Sequence, residues 1–291
     1  MRVKVVESYI TPPQNSLPRH LMIHLSSQIE YLVSCRPMSI SMGNAIRWLK
    51  VQISAVDVGT PESSAKADLC EAIDNYLQEK LILADQVIAK KANDKINDGD
   101  VVLTFAKSSI VQQTLLEAHR QGKKFRVIVV DSRPLFEGKN LARALSGMGI
   151  KVQYSLTHGL SHVIKDATKV FLGAHAMMNT GKLSSRIGTA LVAMMAKEHN
   201  VPVIVCCESI KFADRSDLDS FVHNEIAPPE ELILAGSKPC TLSALGNVPN
   251  LQLLNLMYDL TPAEYINVIF TEYGPIPPSS VPVIQRLSTE T

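Results

Sequence analysis

From Leu17 to Val33 apolar residues recur at Leu17, Leu21, Leu25, Ile29 and Leu32, and from Leu69 to Ala92 at Leu69, Ile73, Leu77, Leu81, Ala84, Val87 and Ile88. Steps of three and four residues put each set on one stripe of a helix, so the first part of the chain reads as helices that bury one face. The stretch Val56 to Lys66, rich in turn and cap residues, connects them. After Asn97-Asp98-Gly99-Asp100, a turn signal, the pattern changes. Short apolar runs at Val101–Phe105, Val127–Val130, Lys151–Leu156, Lys169–Leu172 and Val203–Cys206 alternate with helical stretches at Ser109–Arg120, Asn140–Met148, Leu160–Lys165 and Ser184–Glu198. Apolar runs of this length between helices imply a parallel sheet covered on both faces. The expected fold class is therefore α/β: a helical region over residues 1–95, then a Rossmann-like, largely parallel sheet domain over residues 96–291. The run from Tyr258 to Val283 mixes apolar residues with prolines, which argue against a central strand, and it reads as a segment that packs on a partner.

Composition narrows the class. The chain has 291 residues, 46% of them hydrophobic, enough to bury a large core. A formal charge of +1 leaves no global basic field, so nucleic acid is not an expected partner. No apolar run approaches the ~20 residues of a membrane span. The opening MRVKVVESYITPP lacks the apolar core of a signal peptide, and a cytosolic location is expected. Cys35, Cys70, Cys206, Cys207 and Cys240 form no C-x-x-C pair, so reduced, structural thiols are expected rather than a zinc or redox site.

In a parallel sheet, ligand sites lie beyond the carboxyl ends of the strands. Thr104, Asp131, Gly173 and Cys207 fall there. The phrase Gly173 to Lys182 ends in Gly-Lys, but its spacing is too long for a nucleotide phosphate loop and Leu183 stands where a magnesium-binding hydroxyl would be needed. His158 and His162 are four apart without a third ligand, and His119, His199 and His223 read as surface residues, so no metal site is expected. Asp131 lacks the glycine-rich turn of a dinucleotide fold, and tethering the following Ser-Arg-Pro turn is its expected job. The pairs Met177-Met178 and Met194-Met195 read as core filler.

The phrase Gly173 to Thr189, G-A-x-x-x-x-x-x-G-x-x-x-x-R-I-G-T, resembles the aldose–ketose isomerases of methylthioribose 1-phosphate and ribose 1,5-bisphosphate. It resembles still more the alpha, beta and delta regulatory-subunit family of translation initiation factor 2B. CRPMSISMGNAIRWLK from Cys35, DSRPLFEG from Asp131 and the run from Leu253 to Arg286 are similar to the delta branch, so the resemblance extends from about Tyr9 onward. That branch carries a long charged extension ahead of the ITPP phrase, close to which this sequence begins. The resemblance implies that His175 stands where the isomerases carry a catalytic Asp, and Ala106, in Leu103-Thr104-Phe105-Ala106, where they carry a catalytic Cys. Moving a proton between sugar carbons needs a positioned acid and base, and a methyl group is neither.

The expectation is a noncatalytic regulatory subunit without a cofactor. The resemblance implies a cytosolic complex with alpha, beta, gamma and epsilon subunits that exchanges nucleotide on initiation factor 2 and senses phosphorylation of its alpha subunit. A vestigial pocket is expected around Arg36, Thr104, Ala106, Asp131, Arg133, His175, Ser184 and Arg186. There Arg36, Arg133 and Arg186, with a polar helix start at Ser184 and Gly188-Thr189, either suit a phosphate or pair with Glu137, Asp166 or a partner's carboxylates. Arg47 and Lys50, three apart on a helix beginning near Ser41, are either the contact with phosphorylated initiation factor 2 or ordinary solvated charges. The rival class is an active isomerase with relocated groups, His175 as base and Cys206 or Cys207 as nucleophile.

Overall fold

Residues 2–57, 59–214, 224–232 and 250–290 are described by the computed structural model. His223 and Cys240 lie outside them. Helices α1 (Arg2–Ser8), α2 (Leu17–Cys35), α3 (Ile40–Ala55) and α4 (Glu62–Leu77) are followed by a π-helical stretch, Gln78–Leu83. A proline in the first turn of α2 costs no hydrogen bond, because the first amides of a helix have no intrahelical acceptor. At the start of α3 the Ser39 hydroxyl accepts the Met42 N–H at 3.3 Å. Leu21 and Ile53 are fully buried, and Leu17, Leu25, Leu49, Leu69 and Ile73 close around them. The Trp48 and Tyr76 rings stack at 4.1 Å.

The apolar stripes run further than their buried part. Leu32, Leu77 and Leu81 are exposed. For Leu81 the cause is local, since it lies within the π-helical stretch, where a turn takes more residues than an α-helical one and rotates the stripe off its heading.

The chain divides into Met1–Ala84 and Asp85–Thr291. The helical region was expected to reach residue 95, but Ile88 and Ala92 of α5 (Ala84–Ala92), and Ile96 after it, belong to the core beneath the sheet. The second unit continues with β1 (Val101–Phe105), α6 (Ser109–Arg120), β2 (Arg126–Asp131), α7 (Gly138–Gly147), β3 (Lys151–Leu156), α8 (Leu160–Val163) and β4 (Lys169–Gly173). A hairpin follows, β5 (Ala176–Met178) and β6 (Leu183–Arg186), then α9 (Thr189–Glu198), β7 (Val203–Cys206) and β8 (Phe212–Ala213). The end of the chain supplies β9 (Tyr258–Thr261), β10 (Val268–Thr271), β11 (Gly274–Ile276) and α10 (Val281–Glu290).

Seven strands form one sheet in the order β11-β10-β7-β4-β1-β2-β3, all parallel except β11. Alternate residues enter opposite cores: Leu103, Ile128, Val130 and Val205 on one face, Val102, Val127, Val129 and Ile204 on the other. A second sheet, β8-β5-β6-β9, lies apart from it in hydrogen bonding.

Two sequence expectations are corrected here. Ser184 is not a helix start; it pairs with Ala176 and Leu260 in β6, and α9 begins at Thr189 after Gly188. The terminal run is not merely a surface segment, because β10 sits inside the large sheet between β7 and β11 with Ile269 fully buried. Its prolines do not prevent this: Pro262 falls between β9 and β10, and Pro275 lies in the edge strand β11.

The start of α9 is fixed from two directions. Gly188 has φ +105°, and a Cβ there would meet the Phe105 ring at 2.6 Å, so only glycine lets the chain turn so close to β1. The Asp259 carboxylate on β9 accepts the N–H groups of Gly188 at 2.7 Å and Ala190 at 3.0 Å. Burial pushes that carboxyl up to about 6, against the backbone hydrogen bonds that favour its charged form.

Candidate functional site

Beyond the carboxyl ends of β1 and β4 lies a cavity of about 250 Å³, lined by Lys107, Ser108, Glu137, His175, Arg186, Lys211 and Tyr258, with Ala106 at its wall. Its position follows from the sheet, since the residues leaving parallel strands at one edge are the ones that can converge. Ala106 closes β1 in a left-handed conformation, φ +53°, with its N–H donated to Val130 O at 2.8 Å. A residue with a Cβ adopts that conformation at some cost, which the surrounding packing must hold. Gly173, at the end of β4, carries no side chain because a Cβ would overlap the Ser108 hydroxyl. Ser108 thereby reaches the start of α6, beside Lys107.

Two of the charged groups that line the cavity engage each other. Arg186 donates to Glu137 through both Nε and Nη2, at 2.9 and 3.0 Å, in a bidentate pair. Its guanidinium also lies over the Tyr258 ring at 5.4 Å, and the His175 imidazole stacks on the same residue at 4.1 Å. His175 is held in place by its own backbone, which donates to Ser184 O at 3.0 Å. Lys211 pairs with Glu208 at 2.7 Å. Burial works against the Lys211 ammonium, yet Glu208 beside it carries its pKa above the ordinary lysine value.

The structure brings together Ala106, His175 and Arg186 of the residues singled out in the sequence. Arg133 lines a narrow recess on the other side of Ala106, Glu137 and Arg186, in company with Asp131. Asp131 tethers the turn as expected: its carboxylate accepts the Ser132 N–H at 3.0 Å, the Lys139 N–H at 3.1 Å and the Tyr154 hydroxyl at 2.9 Å. Partial desolvation of the Tyr154 phenol, and then the Asp131 carboxylate to which it donates, push its pKa well above the usual tyrosine range. Thr104 is fully buried inside β1 and does not line the cavity. Ser184 faces the second sheet's pairing, and its neighbour Ser185 lines the cavity instead, donating to Gly173 O at 3.0 Å. Asp166 pairs with Arg126 at 3.3 Å, and not with an arginine of the pocket. Arg36 caps the end of α2 in the first unit. Arg47 is exposed and Lys50 half-buried on α3.

The phrase Gly173 to Lys182 forms a strand, a tight turn and the approach to a second strand, with Met178 accepting the Gly181 N–H at 2.8 Å. A phosphate loop would have to precede a helix, and this one does not. Met177 and Met178 are buried, but Met194 is exposed. Sequence reasoning missed Lys107, Tyr258 and Lys211. Lys107 had a usable signal, its place directly between a strand and a helix; Tyr258 and Lys211 reach the cavity from distant segments and had none.

Comparison with known proteins gives the cavity its context. The profile of the initiation factor 2 subunit family matches residues 2–278. The chain belongs to that family. Within it, the chain is 48% identical over 285 residues to the eIF2B subunit delta of Schizosaccharomyces pombe, covering 96% of this chain and 61% of that protein. It thus spans about six-tenths of the length of that relative. It is 33% identical over 261 residues to the ribose 1,5-bisphosphate isomerase of Pyrococcus furiosus, covering 87% of this chain and 76% of the isomerase. Among solved structures, one in the crystal of the tetrameric eIF2B-beta2-delta2 complex from C. thermophilum superposes with a TM-score of 0.83 at 41% identity, over 93% of this chain and 82% of its own. An initiation factor subunit of known structure therefore shares the fold described above.

The geometry also bears on the thiols at the end of β7. Cys206 and Cys207 are both fully buried. Burial pushes the Cys206 thiol up to about 12 and the Cys207 thiol well above its ordinary value, so neither is a thiolate at neutral pH. Alkylation of the native chain with iodoacetamide at neutral pH should modify the exposed Cys35 and leave Cys206 and Cys207 untouched until denaturant is added. Peptide mass spectrometry reads the outcome, and rapid native-state labelling of either buried thiol would contradict it.

Proposed function

We propose that the chain is a noncatalytic, delta-type regulatory subunit of the cytosolic factor that exchanges guanine nucleotide on translation initiation factor 2. It works with alpha, beta, gamma and epsilon subunits and helps sense phosphorylation of the alpha subunit of initiation factor 2. The observation that carries the reading is the 48% identity to a delta subunit across 96% of the chain. The chemistry of the cavity supports it. At the wall where the family resemblance implies a catalytic thiol, Ala106 offers a methyl group, and where it implies a carboxylate, His175 is stacked on Tyr258. On this reading Arg36, Thr104, Asp131, Arg133, Ser184 and Arg186 belong to the retired pocket or its supports.

The relation to ribose 1,5-bisphosphate isomerase, with lysines and an arginine around the cavity, favours a second reading as an isomerase. The two part in a coupled assay with ribose 1,5-bisphosphate and methylthioribose 1-phosphate. The regulatory reading predicts the uncatalysed rate; turnover that disappears on His175→Ala would establish the other.

The regulatory contact is assigned to α3. Arg47 and Lys50 share a helical face, and a phosphoserine brings close to two negative charges and three acceptor oxygens that such a face can meet. Arg47→Glu with Lys50→Glu should weaken inhibition by phosphorylated initiation factor 2 about three- to tenfold, the scale of two exposed ion pairs, and leave basal exchange intact. Unchanged inhibition in a normally assembled complex would place the contact elsewhere.

A further inference from the structure

The cavity beyond β1 and β4 and the recess next to it are two parts of one cleft, because Ala106, Glu137 and Arg186 line both. The Arg186–Glu137 pair is the partition between them, closed by hydrogen bonds of 2.9 and 3.0 Å. Glu137 stands at the N-cap of α7, yet its side chain makes no capping bond there and turns to the arginine instead. It is the one acidic residue among those that line the cavity. Lys211, on the same lining, is already paired with Glu208 at 2.7 Å. Lys107 is exposed and forms no ion pair among the described residues.

Arg186 is held by more than its carboxylate. The guanidinium lies over the Tyr258 ring, and its Nη1 is buried with no acceptor among the described residues. An arginine fork takes a carboxylate and a phosphate in the same bidentate geometry, so the two Glu137 oxygens occupy the place where two phosphate oxygens would sit. On the same wall, Ser108 and Ser109 begin α6 without a side-chain cap on its first amides. We propose that Glu137 is a built-in plug: it occupies the arginine of an anion site, keeps that site closed to phosphate groups and divides the cleft in two. The inference rests on the reading of the cavity as a retired pocket and adds what holds it shut.

The plug is removable without dismantling the wall. The two side chains keep 27% and 35% of their surface in solvent, so water screens the pair and its net contribution to folding is small. With Glu137 gone, the Tyr258 ring still supports the guanidinium, and no carboxylate remains on the cavity lining to repel an anion. A phosphate group carries close to two negative charges at neutral pH, more than the carboxylate it would replace. Glu137→Ala empties the position, and Glu137→Gln keeps its shape while removing its charge.

Calorimetric titration of inorganic phosphate into the full chain, in a buffer free of competing anions, tests the plug. Glu137→Ala should bind phosphate about ten- to a hundredfold more tightly than the parent, the scale of one charge-assisted contact set free, and Glu137→Gln should fall between them. Adding Arg186→Gln to Glu137→Ala should abolish the gain. A parent that binds as tightly as folded Glu137→Ala, or a gain that survives Arg186→Gln, would overturn the proposal. The Arg186 Nε–H resonance of the parent needs no variant: a signal unmoved by phosphate supports the plug, and a saturable shift overturns it. Binding to the parent without turnover of a sugar phosphate overturns the plug and leaves the regulatory reading standing, whereas turnover by the parent overturns both.

Discussion

Val102, Val127 and Val129 face one core of the large sheet while Leu103, Ile128 and Val130 face the other, and the second unit depends on this two-sided burial. Each fully buried side chain of this size contributes about 1.5–3 kcal/mol from leaving water, so the register of the parallel strands is fixed by their side chains as well as by their hydrogen bonds. Once the register is set, β1, β2, β4 and β7 end along one edge, and whatever follows them converges there. The cavity is a consequence of that edge. Phe105 shows the coupling directly: it belongs to the core, and its ring meets the position that Gly188 must leave empty for α9 to start.

The same burial explains what was legible in the sequence. The strands β1 and β7 and the helix α6 were readable to the residue, because continuous apolar runs and helical periods carry a strong signal; β3 was placed as well, although none of its residues is fully buried. The hairpin β5–β6 was not, since three- and four-residue strands leave too few positions for a period and the phrase ran on into a helix. β10 was hidden by prolines that turn out to flank it or to sit on the edge. The exposed Leu81 shows the opposite failure, a helical stripe continued past the point where a π-helical turn changes its direction.

The site was legible in part for the same reason. Asp131 and its turn are local, and the sequence around them was enough to anticipate a tether. The Arg186–Glu137 pair was one of several pairings that the sequence permitted, and only the packing chose among them. Tyr258 and Lys211 reach the cavity from segments distant from β1 and β4 and signal nothing in one dimension. What results is a cavity that keeps cations and a helix start, with its arginine paired to an internal carboxylate and its nearby thiols protonated.

On this account the chain acts by assembly rather than by turnover. Affinity purification of the chain at physiological salt, followed by mass spectrometry of the co-purifying proteins, tests this claim most directly. The account predicts recovery of the other subunits of the exchange factor together with initiation factor 2. Recovery of the chain alone or as a homo-oligomer, in a form that converts a sugar phosphate, would contradict it.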